Sequence, residues 1–113
     1  MKAKIFHNPR CSKSRQTLAL LEEKNMDVEV VEYLKTPPTQ KELSAIVDML
    51  GISPWDLVRK NESILKELNL DGTKPAKVLK AMTEHPILIE RPIVVIGKKA
   101  AIGRPPENIL SIL

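Results

Sequence analysis

One cysteine occurs in the chain, inside His7-Asn8-Pro9-Arg10-Cys11-Ser12-Lys13-Ser14-Arg15, where an apolar piece gives way to a helical pattern. A thiol attacks only as its thiolate, and three features here favour that form. The N–H groups opening the following helix point at the sulfur, and Arg10, Lys13 and Arg15 stand close to it in sequence. In addition, no Asp or Glu occurs before Glu22, whereas Lys2 and Lys4 add further positive charge. The orphan N–H groups of a helix start also suit a tetrahedral anion. The chemistry to expect is therefore that of a nucleophilic thiolate, in a setting that also binds a small tetrahedral anion.

Composition narrows the setting of that thiol. With 113 residues and 18 Lys and Arg against 14 Asp and Glu, the chain reads as one domain, 1–113, of net charge +4. This excess suits an anionic substrate. It does not suit a nucleic-acid groove, because no long Lys/Arg run exists and only Phe6, Tyr33 and Trp55 could stack on bases. A lone cysteine makes no internal disulfide, which points to the reducing cytoplasm. The basic start Met1-Lys2-Ala3-Lys4-Ile5-Phe6 has no apolar run of signal-peptide length, and no segment approaches the ~20 apolar residues of a membrane span. Two histidines and one cysteine, widely separated, give no metal site.

The elements that must position Cys11 follow from the pattern. Ala3–Phe6 predicts a strand, Cys11–Lys24 a helix with Leu18 and Leu21 inward, and Val28–Leu34 a second strand. Strand, helix, strand makes a parallel pair with a right-handed crossover. Thr39-Gln40-Lys41-Glu42 is a capping box ahead of Leu43, Ile46, Val47 and Leu50, and Gly51 closes that helix. Short helices follow: one through Trp55, one carrying the stripe Ile64, Leu65 and Leu68, and one starting at Pro75 and stopping before His85-Pro86. Ile93-Val94-Val95-Ile96, Gly97-Lys98-Lys99 and Ala100-Ala101-Ile102 predict a hairpin, and a last helix presents Ile109, Leu110 and Leu113. The sum is an α/β fold: a mixed four-stranded sheet with helices on both sides.

Several ordered blocks together carry a family resemblance. His-Asn-Pro-x-Cys-x-x-Ser-Arg at 7 to 15, Tyr33-Leu34 with Pro37-Pro38, Leu57-Val58-Arg59-Lys60-Asn61, His85 to Val94, and Gly103-Arg104-Pro105-Pro106-Glu107 resemble the glutaredoxin-dependent arsenate reductases over nearly the whole chain. The resemblance implies a thioredoxin-like core with an inserted helical segment, about 39–84, and a cis peptide between Arg91 and Pro92. It also implies that Arg59, Arg91 and Arg104 converge on arsenate through the bidentate contacts that guanidinium groups offer. Cys11 would attack arsenic and expel water or hydroxide. Glutathione, a co-substrate rather than a bound cofactor, would then reduce arsenic as a Cys11–glutathione mixed disulfide forms. With no second cysteine to resolve that disulfide, glutaredoxin must do so. The enzyme is expected to act as a monomer, without nucleic acid or membrane.

Each residue also has a plainer role to weigh. A lone cysteine is often a small buried apolar residue, which the basic, polar neighbours of Cys11 argue against. Arg59 alone reads as a solvated helix residue. Ser14 and Arg15 are placed either to bind thiolate and substrate or to cap the helix, His7 either tunes the thiol loop from beside it, as Asn8 does, or is structural, and His85 is structural. Arg10 and Lys13 stand where the best-known arsenate reductases carry smaller residues, which adds positive charge or bulk beside the sulfur. Two other readings stay open. One is a redox-responsive transcription regulator of this fold docking on RNA polymerase, although the usual second switch cysteine is here Ser14. The other is a glutathione-dependent thiol reductase that ignores arsenate.

Overall fold

The computed structural model describes residues 2–113. The chain divides into two units, Met1–Thr36 with Arg91–Leu113, and Pro37–Glu90.

The first unit holds a four-stranded mixed sheet, as the sequence pattern leads one to expect. Strands β1 (Lys2–His7), β2 (Asp27–Glu32), β3 (Ile93–Ile96) and β4 (Lys99–Ile102) lie in the order β2-β1-β3-β4. β1 and β2 are parallel across helix α1 (Ser12–Glu23), and the other pairs are antiparallel. Register explains the core. Ile5 stands opposite Val94 and Val94 opposite Ala101, while Ala3 stands opposite Val28, so these residues line one face. Leu21 of α1 and Ile109 and Ile112 of the C-terminal segment close over that row, with Leu18 and Leu20 at its margin. The β3–β4 hairpin turns through Gly97 at φ +62°, a left-handed conformation that suits glycine.

Two elements of this unit depart from expectation. β2 ends at Glu32 rather than Leu34, because the Glu32 carbonyl accepts from both Lys35 N and Thr36 N and so turns the chain. The last helix is a 3-10 helix, Pro106–Ile112, whose buried residues are Pro106, Ile109 and Ile112. That three-residue spacing is the 3-10 period, so Leu110 and Leu113 face outward instead of joining Ile109.

The second unit is helical. α2 (Gln40–Leu50) starts at the capping box, with Thr39 and Glu42 bonding each other's backbone N–H, and ends at Gly51. It buries Leu43, Ile46 and Val47, and α4 (Pro75–Glu84) buries Val78, Ala81 and Met82. Between them lie a 3-10 turn (Pro54–Leu57) and α3, only Ile64–Leu68. The expected stripe on α3 buries none of its residues fully, because a five-residue helix offers too little face to cover. An antiparallel bridge joins Val58 to Ile89, with Arg59 N bonded to Leu88 O and Glu90 N to Leu57 O. Among the described residues no helix is long and apolar enough to cross a membrane.

Candidate active site

The loop between β1 and α1 is braced by the helix it precedes. Cys11 N donates to Asn8 O at 3.0 Å, and Arg10 N donates to Asn8 Oδ1 at 3.0 Å, the turn chemistry that asparagine favours. Asn8 N donates to Ser14 Oγ at 3.0 Å, and Arg15 Nη1 donates to Pro9 O at 2.8 Å. The Ser14 hydroxyl and the Arg15 guanidinium thus both help to build the loop. Asn8 and Pro9 are held from the first turn of α1, and Cys11 is fixed at its N-cap.

Cys11 is partly exposed. Burial raises its pKa, but the backbone N–H groups of Ser14 and Lys13 and the charges of Arg91 and Arg104 outweigh that, so the thiol sits below its ordinary range. Sγ makes no cap hydrogen bond of regular geometry, yet these amides still favour its negative form. The helix start therefore acts as expected, but the cations are different ones. They come not from Arg10, Lys13 and Arg15 but from residues some eighty or more positions on, brought over by the sheet. Arg104 follows β4 and holds Nη1 at 3.9 Å from Sγ. Arg91 precedes β3, next to the buried Pro92, and the Arg91–Pro92 peptide is cis.

Beneath the loop, His7 at the end of β1 is buried and its Nδ1 lies 2.6 Å from Ser14 Oγ. Burial lowers the His7 pKa, opposed by Glu32 and assisted by Arg15. With His7 neutral, Ser14 donates its proton to Nδ1 and accepts from Asn8 N, which puts the imidazole proton on Nε2. A short hydrogen-bonded chain thus runs from the His7 imidazole through the Ser14 hydroxyl to the backbone of the thiol loop at Asn8.

Arg59 belongs to the helical unit. There it is largely buried and ion-paired with Glu62 at 3.2 Å. The site residue that sequence reasoning passed over is Thr17. It is fully buried on the same face of α1 as Ser14 and Leu21, and its hydroxyl donates to Lys13 O at 2.8 Å with Gly103 O at 3.3 Å. The spacing Ser14, Thr17, Leu21 could have flagged it as the polar end of an inward stripe.

Comparison with known proteins gives a consistent result. Residues 6–112 match the ArsC family. The chain is 50% identical over 113 residues to an arsenate reductase of Neisseria meningitidis serogroup B, covering 97% of each. It is 48% identical over 112 residues to an arsenate reductase of Haemophilus influenzae, covering 96% of this chain and 97% of that one. A solved structure of an arsenate reductase from Vibrio cholerae superimposes with a TM-score of 0.96 at 47% identity, covering all of this chain and 98% of the other.

Proposed function

Because the chain belongs to the ArsC family, we propose that it is an arsenate reductase whose nucleophile is Cys11. The observation that carries this is a thiol held below its ordinary pKa with arginine charge on it from Arg91 and Arg104. One group attacks, and the others offer forked N–H donors to a tetrahedral oxyanion. In the first step the thiolate forms an S–As bond and water or hydroxide leaves. Glutathione then attacks the Cys11 sulfur. The S–As pair passes to arsenic, which falls from As(V) to As(III), as the two sulfurs are oxidised to a Cys11–glutathione disulfide.

Resolution of that disulfide needs a thiol from outside, since the chain has one cysteine. Glutaredoxin suits it, because attack on the glutathione sulfur returns Cys11 as a thiolate leaving group of low pKa. Arg59 is proposed as a third oxyanion ligand from the resemblance of its sequence block, and Pro92 as a wall of the thiol site. All of this is proposed for a single domain acting as a monomer in the cytoplasm.

Mass spectrometry tests the scheme at its stalled step. Enzyme given arsenate and glutathione without glutaredoxin should carry glutathione on Cys11, and glutaredoxin should remove it. Robust turnover with thioredoxin alone, or an unmodified Cys11, contradicts it.

A further inference from the structure

Gly103 lies between β4 and Arg104, and its φ is not in the left-handed region, so its backbone would accept any residue. Space is what excludes a side chain. A Cβ built there falls 2.4 Å from Thr17 Oγ1 and 2.9 Å from both Thr17 Cγ2 and Pro92 Cγ, where ordinary contact begins near 3.4 Å. The backbone of Gly103 is therefore clamped between α1 and the residue after Arg91. Polar contacts complete the clamp: Gly103 N donates to Pro92 O at 2.9 Å, and the Thr17 hydroxyl faces Gly103 O at 3.3 Å. Thr17 itself is tied to Lys13 O at 2.8 Å, two residues from Cys11.

We infer that Thr17 and Gly103 are positioning residues, which set the Arg104 guanidinium against Cys11 and couple it to the Arg91–Pro92 segment through one close-packed joint. Neither touches the reacting atoms; each acts through Arg104. The consequence for catalysis rests on the arsenate reductase function proposed above, whereas the consequence for the thiol does not. Adding a methyl at Gly103 forces a displacement of about 1 Å, enough to cost roughly tenfold to a hundredfold in a reaction that depends on placement.

The test is a cycle of Gly103→Ala and Arg104→Ala with Thr17→Ala, read by the pH profile of Cys11 alkylation and by kcat/KM for arsenate. Gly103→Ala should raise the alkylation midpoint and lower kcat/KM roughly tenfold or more while circular dichroism stays native. Thr17→Ala, which removes two of the three clashing atoms together with the clamping hydroxyl, should leave the Gly103→Ala double variant no worse on either readout than Thr17→Ala alone. In an Arg104→Ala background, Gly103→Ala should move the alkylation midpoint no further. An unchanged midpoint in folded Gly103→Ala overturns the inference, and so does a shift of equal size with Arg104 absent. If Gly103→Ala does not fold, Thr17→Val, which keeps the shape and loses the hydroxyl, must still raise the midpoint or the inference fails. A protein inactive on arsenate that still shows these midpoint shifts refutes the proposed function and leaves the joint intact.

Discussion

Cys11 is poised by groups of two origins, local amides and distant arginines, working against the cost of burying charge. Its alkylation rate should rise with pH through a midpoint below that of a free thiol, and Cys11→Ser should abolish turnover while the fold persists. A midpoint at or above the free-thiol range removes the activated thiolate. His7 carries the opposite proton bookkeeping. Burial holds its pKa below the ordinary 6.5, so the unfolded chain takes up the proton first. The stability this contributes is whole above 6.5 and is lost as pH falls below that value. Urea midpoints should therefore drop as pH is lowered past 6.5, and His7→Gln should flatten the drop. The candidate nucleophile stood out in the sequence because a lone cysteine at a strand-to-helix turn is a strong local signal. Its cationic partners were legible only through the resemblance, since nothing local in Arg91 or Arg104 says that a sheet brings them to residue 11.

At the scale of elements, what periodicity encodes and what it leaves out separate cleanly. α2 was readable because box, stripe and closing glycine agree, and Thr39→Ala should cost ~1 kcal/mol in chemical denaturation through loss of the cap. The C-terminal helix reads with Ile109, Leu110 and Leu113 on one face because those residues fit a 3.6-residue period, and only packing selects the tighter winding that buries Ile112 instead. Ile109→Ala should accordingly cost about 2–5 kcal/mol and Leu110→Ala less than about 0.5 kcal/mol. Equal costs at the two positions would mean that this segment does not pack as a 3-10 helix. α3 failed as a buried stripe because apolar spacing says nothing about whether a partner surface exists.

At the scale of the molecule, one unit is a mixed sheet carrying the thiol and the other is helical and holds Arg59, and the proposed scheme completes the reaction with thiols from outside. The absence of a second cysteine, plain in the sequence, is what distinguishes this scheme from an internal dithiol relay. The most direct test is arsenate-dependent NADPH consumption with glutathione, glutaredoxin and glutathione reductase, run beside turnover of a small disulfide. Wild type should consume NADPH only when arsenate is added, and Cys11→Ser should not. Arg59→Lys, Arg91→Lys and Arg104→Lys, which keep charge but lose the planar fork, should each lower arsenate kcat/KM by roughly one to two powers of ten, from ~1.5–3 kcal/mol of lost charge-assisted hydrogen bonding, and spare the disulfide. No arsenate-dependent consumption by wild type, or equal losses on both substrates in the lysine variants, would contradict the account and leave a general thiol reductase in its place.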